Sequence, residues 1–218
     1  MKGLLIKDWK LLTRQKTTLL IMLLLLFLFP VLEMDVGFVV SYTMIIILFQ
    51  TVSTVSYDDF DNGMAFLFAL PIGRKTYVRE KYVLGLMAAV FGWILSVVIN
   101  VVFMLVMSNE DAGTIGRVVL SLVLIFPVML LMWEILLPMQ LKFGAEKARV
   151  VMFIVVGVGA AAMVIGEKVI TAQQAEKLSY MMAGVTPSQA AIALFALALA
   201  GLLISYTSSV RIMEKKEY

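Results

Sequence analysis

The chain lacks two residue types that carry much of protein chemistry, because its 218 residues include no cysteine and no histidine. The missing cysteines exclude disulfides and thiolate chemistry, and the missing histidines exclude zinc and haem sites that depend on histidine ligands. Zinc and serine proteases that act within the bilayer need histidine as well. The composition therefore excludes these enzyme classes.

Charge is also scarce. Charged residues make up 15% of the chain and hydrophobic residues 62%, with a mean hydropathy of +0.99. A soluble domain of this length could not bury so much apolar surface, so the composition predicts a polytopic membrane protein. We assign the net charge of +3 to loops that face anionic lipid, and no nucleic acid is expected as a partner.

Long apolar stretches dominate the chain, and each approaches the roughly 20 residues that a helix needs to cross a bilayer. The first continues into Glu33 without a small-residue cleavage site, so we interpret it as an uncleaved anchor. The third, with its lead-in from Arg74, is long enough to tilt or to project from the membrane. We predict an all-α fold and one transmembrane domain over residues 1–218, with six spanning helices at about 17–32, 36–55, 82–107, 117–138, 149–165 and 189–210.

The distribution of lysine and arginine predicts the orientation, since short cytoplasmic loops carry an excess of both. With the N-terminus inside, only three of the 18 basic residues lie in outer segments, namely Arg117, Lys168 and Lys177. We therefore expect both termini in the cytoplasm. The outer segment at residues 166–188 is either a short interfacial helix at the exit or an ordinary lid, and Thr186 with Pro187 predicts a capped start for the sixth helix.

The segment between the second and third spans begins with acids. Asp58 is suited to cap a helix, and Asp59 and Asp61 complement the helix dipole. Apolar residues then follow at i, i+4, i+7 and i+8, on one face of a short helix that Pro71 ends and after which Gly73 begins the next. This face comprises Phe60, Met64, Leu67 and Phe68. Such a helix either lies among lipid headgroups or inserts into a groove on a soluble partner, and its acidic start argues against simple attraction to anionic lipid.

Glu134 is the only ionisable residue well within a predicted span, which makes it a candidate proton site or helix–helix partner. One lone acid is a poor proton relay, so we favour a position near the headgroups or pairing with Lys142 or a neighbouring helix. Other polar residues in the spans could line a substrate path, although hydrogen bonding between packed helices is the favoured interpretation. These are Gln50, Ser53, Ser96 and Asn100.

Several motifs, in order, resemble those of ABC-2 type transporter permeases. The acidic stretch 58–63, the apolar run 66–68, Leu-Pro-Ile-Gly-Arg at 70–74 and Arg-Glu-Lys-Tyr at 79–82 resemble the segment by which such permeases couple to an ATPase. Residues 1–10 and 141–149 are similar to the same family, so the resemblance covers essentially the whole chain. Gly73 departs from it, because relatives often have serine there.

The resemblance is closest to small bacterial permeases, such as those of phenol-soluble modulin and bacteriocin exporters. It implies a bacterial plasma membrane location and an amphipathic connector helix that turns Leu4, Leu5, Trp9 and Leu12 toward lipid or protein. It implies an ATPase-coupling segment with Asp58, Asp59, Phe60, Asp61, Gly63, Met64, Phe66, Leu67, Phe68, Pro71 and Arg74. A second cytoplasmic contact would comprise Phe143, Gly144, Glu146 and Lys147.

The chain has no phosphate-binding loop, since the run from Gly73 to Thr76 lacks the earlier glycine and the required order. We therefore expect no enzyme activity and no cofactor in this chain. The resemblance implies two separate nucleotide-binding subunits that hold ATP and Mg²⁺, and a second permease copy or a sister chain. It implies export by alternating access, with hydrophobic or amphipathic peptides as cargo. Lipid, drug or ion cargo is the alternative, and a non-transporting membrane scaffold or immunity protein is an alternative of another class.

Overall fold

The computed structural model describes residues 1–32, 34–60, 63–106, 112–169 and 186–216, and in these ranges it contains helices and no strand. The predicted all-α class is therefore confirmed for the described part of the chain. The helices are α1 (Lys2–Arg14), α2 (Lys16–Val31), α3 (Val36–Asp59), α4 (Gly63–Ala69), α5 (Arg74–Val106), α6 (Ala112–Val169) and α7 (Pro187–Lys215).

Four helical stretches in the described ranges are long and apolar enough to cross a membrane: Val36–Asp59, Arg74–Val106, Gly113–Gly144 and Ser188–Lys215. They correspond to the second, third, fourth and sixth predicted spans. The first predicted span is α2, which has 16 residues and reaches span length only together with α1, across a bend of 67°. The fifth, at 149–165, lies in the second part of α6, where the side chains from residue 151 onward fall outside the described residues. Four or five of the six predicted spans are thus accounted for.

The helix limits follow from local chemistry. The side chain of Asp35 accepts a hydrogen bond from the backbone N–H of Phe38 at 3.0 Å and caps α3. Thr186 and Gln189 form a capping box at the start of α7, with Pro187 in the first turn, which confirms the predicted start of this helix. Within α6, Gly144 has φ +76°, a left-handed conformation that favours glycine, and it divides the helix into two parts.

Trp133 of α6 is fully buried where α6 packs against α3 and α5, and α7 packs against α5 and α6. The α5 backbone approaches the indole so closely at Gly85 that a Cβ there would overlap the ring. Tyr82 packs edge to face on the same ring, with the centroids 5.4 Å apart. A small residue at Gly85 therefore permits the close approach of α5 and α6, as is typical of membrane helices.

Large apolar side chains are exposed along the outer faces of the long helices. A soluble protein rarely shows so much contiguous apolar surface, whereas lipid covers it in a membrane. Helix α5, with 33 residues, is about 50 Å long and exceeds the roughly 30 Å of the hydrocarbon core. Its length agrees with the prediction that this helix tilts or projects from the membrane. The exposed apolar residues include Leu20, Leu24, Phe27, Phe91, Leu199, Leu203 and Ile204.

Candidate functional site

Helix α4 is a short helix between the ends of two long ones. Helix α3 ends at Asp59, and Phe60 follows with an extended backbone (φ −68°, ψ 139°). Pro71 lies in the turn after α4, where its ring and missing N–H end the helix. The backbone carbonyl of Gly73 then accepts a hydrogen bond from the N–H of Tyr77 at 3.1 Å, in the first turn of α5. The predicted limits at Pro71 and Gly73 are confirmed.

One face of α4 is fixed in the protein interior. Met64 and Leu67 are buried in the hydrophobic core. Phe68 packs edge to face on Tyr77 of α5, with 5.7 Å between ring centroids. These three side chains belong to the predicted apolar face, and they attach the helix to the membrane helices beside it.

The opposite side of α4 is open. Phe66 is 73% exposed, although it is a large aromatic residue on the same short helix as the buried Met64 and Leu67. Phe60 was expected on the same face as Met64, but this expectation is wrong. It lies before the helix in extended backbone and is 72% exposed. The α4 segment therefore presents two exposed phenylalanines.

Asp58 does not cap α4, which corrects the prediction from sequence. It lies in the last turn of α3, where its buried carboxylate pairs with Lys7 and lies 2.7 Å from the ammonium of Lys81. The hydroxyl of Tyr77 donates a hydrogen bond to the same carboxylate at 3.0 Å. An acid before an apolar run is compatible with the end of one helix and with the start of the next. The local sequence therefore could not show whether Asp58 belongs to α3 or caps α4.

Asp58 belongs to a cluster of charged side chains from three helices. Lys81 is at its centre, where it pairs with Asp8, contacts Glu80 at 3.9 Å and donates a hydrogen bond to the hydroxyl of Thr54 at 2.9 Å. Lys7 lies 3.1 Å from the carboxylate of Asp8. We call this group the ion cluster, and it consists of Lys7, Asp8, Asp58, Glu80 and Lys81.

Most of the ion cluster is inaccessible to solvent, since Asp8, Glu80 and Lys81 are buried. Buried charges are costly unless they are paired, so its geometry fixes α1 against α3 and α5. The carboxylate of Glu80 accepts no hydrogen bond from any described residue. Burial opposes the charge on Lys7, but its interactions with Asp58 and Asp8 outweigh burial and raise its pKa above the ordinary value. Within the described ranges, no group of acids is arranged to hold a metal ion.

The ion cluster was not predicted from the sequence, although Lys81 lies in the Arg-Glu-Lys-Tyr motif at 79–82. The sequence of α1 contains one indication of a buried ion pair. Leu4 and Asp8 are four residues apart, so they share a helix face, and both are buried. An acid in line with a core leucine predicts a buried cationic partner. Nothing in the sequence, however, identifies that partner as Lys81, which lies 73 residues further along the chain.

The segment around Gly144 lies beside the end of α3. A Cβ on Gly144 would come within 3.6 Å of the Asp59 carboxylate. Phe143 is exposed, and the ammonium of Lys142 lies 4.9 Å from the centre of its ring. Lys147 is also exposed, whereas the side chain of Glu146 lies outside the described residues, as does Asp61. The structure thus brings the two predicted contact segments together.

The end of α7 meets the same region. The guanidinium of Arg74 donates a hydrogen bond to the backbone carbonyl of Glu214 at 2.7 Å, and Lys75 pairs with the Glu214 carboxylate at 3.4 Å. Lys216 lies 4.0 Å from Asp59 and donates to the carbonyl of Leu141 at 3.3 Å. The end of α7 therefore lies at the same end of the helices as α1, the α4 segment and the Gly144 segment.

Three of the polar residues predicted within spans bond to their own helices. Ser53 donates to the carbonyl of Gln50, and Ser96 donates to the carbonyl of Trp93. Asn100 donates to the carbonyl of Ser96 at 2.7 Å. The side-chain oxygen of Gln50 is buried and accepts no hydrogen bond from a described residue. Hydrogen bonds between helices are made by other polar residues.

These bonds between helices join the centre of the structure to α7 and α3. The hydroxyl of Tyr82 lies 2.5 Å from the hydroxyl of Ser205 and 2.9 Å from that of Ser209. The indole N–H of Trp133 donates to the hydroxyl of Thr51 at 3.1 Å. The polar atoms of these two large aromatic residues thus fix the packing of four long helices.

Glu134 is buried between α6 and α7. Its carboxylate lies against Gly201, and neither oxygen accepts a hydrogen bond from a described residue. Ser205 donates to its backbone carbonyl. Of the favoured alternatives, contact with a neighbouring helix agrees with this position against α7, and pairing with Lys142 does not. Lys142 lies eight residues on, about 12 Å along the helix, which is too far for pairing.

A family model described as "ABC-2 family transporter protein" matches residues 3–214. The match includes α1, the α4 segment, the ion cluster, the Gly144 segment and almost all of α7. No curated protein and no solved structure gives a match.

Proposed function

Because this chain belongs to the ABC-2 family of transporter proteins, and is thus a permease component of an ABC transporter, we propose that it exports hydrophobic or amphipathic peptides. In this proposal two ATPase subunits bind ATP and Mg²⁺, and a second permease chain completes the transport path. The chain itself catalyses no reaction. The complex resides in a bacterial plasma membrane with both termini of this chain in the cytoplasm.

The observation that carries the proposal is the position of Phe66. It is 73% exposed on a short helix whose other face, through Met64 and Leu67, is buried in the core. An exposed aromatic side chain on a rigid helix suits insertion into a groove on a soluble partner, and aromatic anchors supply much of the energy in such interfaces. We assign this partner as the ATPase, in agreement with the expected coupling segment.

The Gly144 segment supplies a second contact in this proposal. Phe143 is exposed, and Gly144 lies beside Asp59 at the end of α3. A partner that covers Phe66 can therefore reach Phe143 and Lys147 as well. Contact at both segments would let the ATPase act on α3, α5 and α6 together.

The ion cluster transmits the movement. When two ATPase subunits close on ATP, they displace α4, and its buried face moves the ends of α3 and α5. Asp58 and Lys81, on these two helices, are joined to α1 through Asp8. The helices therefore move as one body, as packed elements do in domain closures, and alternating access follows from motion between the two permease chains.

The cargo assignment depends on the family resemblance and on the apolar surface. The 16 methionines provide adaptable contacts for varied amphipathic peptides. Lipid, drug or ion cargo is the alternative within transport. A non-transporting scaffold or immunity protein, in which the α4 segment binds only lipid, is the alternative of another class.

The test is co-purification from the native host in mild detergent, followed by an ATPase assay. We expect an ABC ATPase to accompany the wild-type chain and amphipathic peptides to stimulate its turnover. Phe66→Ala should weaken the association roughly 30-fold, as for an interface hot spot. Phe91→Ala is the matched control, because Phe91 is 64% exposed but lies within a membrane span. If no ATPase accompanies the wild-type chain, or if both variants behave alike, the proposed docking site is wrong.

A further inference from the structure

A pocket of basic side chains lies where the first part of α6 meets the end of α7. It is open to the outside, has a volume of about 340 Å³ and is lined by Lys142, Arg211, Ile212, Lys215 and Lys216. Four of its five lining residues are cations, and they come from segments that are almost 70 residues apart in the chain. We call it the basic pocket.

The basic pocket keeps an excess of positive charge. Among the side chains that the structure describes, no carboxylate lies within ion-pair distance of Lys142, Arg211 or Lys215. Glu214, which is adjacent to Lys215 in sequence, pairs with Lys75 of α5 at 3.4 Å. Such a concentration of cations with little internal compensation attracts an anion.

The depth of the pocket indicates which anion. The predicted spans of α6 and α7 end at residues 138 and 210, so the cations begin one to four residues beyond the hydrocarbon core, within about 6 Å. The headgroup layer occupies this depth on each side of a bilayer. Phosphate groups of lipids are therefore the anions most concentrated at the level of the pocket.

An apolar surface continues from the pocket into the membrane. Ile204 lies two helical turns before Arg211 on the same side of α7 and is 67% exposed. Leu203, beside it, is also exposed. An acyl chain attached to a headgroup in the pocket can lie along this surface. A soluble phosphate or an acidic protein segment carries no acyl chain that could contact this apolar surface.

We propose that the basic pocket binds the phosphate headgroup of an anionic phospholipid. Lys142, Arg211 and Lys215 surround the phosphate, and the acyl chains lie against the outer face of α7. Basic pockets between membrane helices are known binding places for such headgroups. Lipid binding at the basic pocket is independent of the proposed function, because it requires neither the ATPase nor the cargo. The bound lipid would join α6 to α7 near Gly144.

The experiment is a titration of the detergent-purified chain with dioleoyl phosphatidylglycerol, followed by native mass spectrometry. The test variant carries Lys142→Gln, Arg211→Gln and Lys215→Gln. The control carries Lys2→Gln, Lys10→Gln and Arg14→Gln, which removes three exposed charges from α1. Each cation near an anionic surface contributes about a factor of five, so we expect roughly 100-fold weaker binding in the test variant and little change in the control.

Further probes separate the possible sources of phosphate. Dioleoyl phosphatidylcholine should bind far more weakly than phosphatidylglycerol, and inorganic phosphate at millimolar concentration should not displace the lipid. Equal binding of both lipids, or equal loss in both variants, would overturn the proposal. Displacement by inorganic phosphate would assign the pocket to a soluble anion instead. Unchanged lipid binding with loss of ATPase association would assign it to an acidic protein surface.

Discussion

The ammonium of Lys81 on α5 lies 2.7 Å from the carboxylate of Asp58 on α3, directly behind the short helix that separates the two in sequence. Both groups are buried, and Tyr77 adds a hydrogen bond to the same carboxylate at 3.0 Å. Any movement of α4 therefore acts on two long helices that are held to each other. This pair therefore joins the two long helices that α4 connects in sequence.

Removal of the central cation should destabilise the protein strongly. In Lys81→Met the carboxylates of Asp8, Asp58 and Glu80 lose their shared partner, and breaking a buried ion pair costs about 3–5 kcal/mol. Thermal unfolding in detergent measures the loss. The control is Arg79→Met, because Arg79 is exposed on the same helix. Equal stability of the two variants would contradict the buried arrangement.

The close approach of α5 and α6 predicts a position-specific effect of alanine. Gly85→Ala places a methyl group into the ring of buried Trp133 and should cost about 1–3 kcal/mol. Gly116→Ala, on an open face of α6, meets nothing within 4 Å and should gain up to about 1 kcal/mol from helix propensity. The two unfolding temperatures should therefore shift in opposite directions. A shift in the same direction would argue against this packing.

The absence of cysteine permits a direct test of the orientation. Phe60→Cys and Lys147→Cys place a thiol at exposed positions near α4, and Ser188→Cys places one at the start of α7. In intact cells, a membrane-impermeant maleimide should label only Ser188→Cys. After permeabilisation it should label all three. Labelling of Phe60→Cys in intact cells would reverse the proposed topology.

Much of the fold could be predicted from local sequence. Long apolar runs identify the long helices, Pro71 ends α4, and Thr186 with Pro187 starts α7, because these signals act within a few residues. Asp58 was assigned to the start of α4 instead of the end of α3, because the neighbouring residues are compatible with both positions. The ion cluster depends on side chains that are far apart in the chain, and only the three-dimensional packing brings Asp8 to Lys81.

Glu134 illustrates the same limit within a span. Its position in an apolar run indicated an unusual carboxylate, but the sequence did not indicate which residue that carboxylate contacts. The structure places that carboxylate against Gly201 of α7, which lies in another helix and bears no side chain to suggest a contact. Sequence analysis could therefore select Glu134 but not the helix that covers it.

Site-specific cross-linking tests whether Phe66 contacts the ATPase. The single-cysteine variants Phe66→Cys and Phe91→Cys are labelled with a benzophenone maleimide and irradiated in membranes that contain the co-purifying ATPase. We expect an adduct between the two proteins from position 66 and none from position 91. No adduct from position 66, or equal yields from both positions, would contradict it.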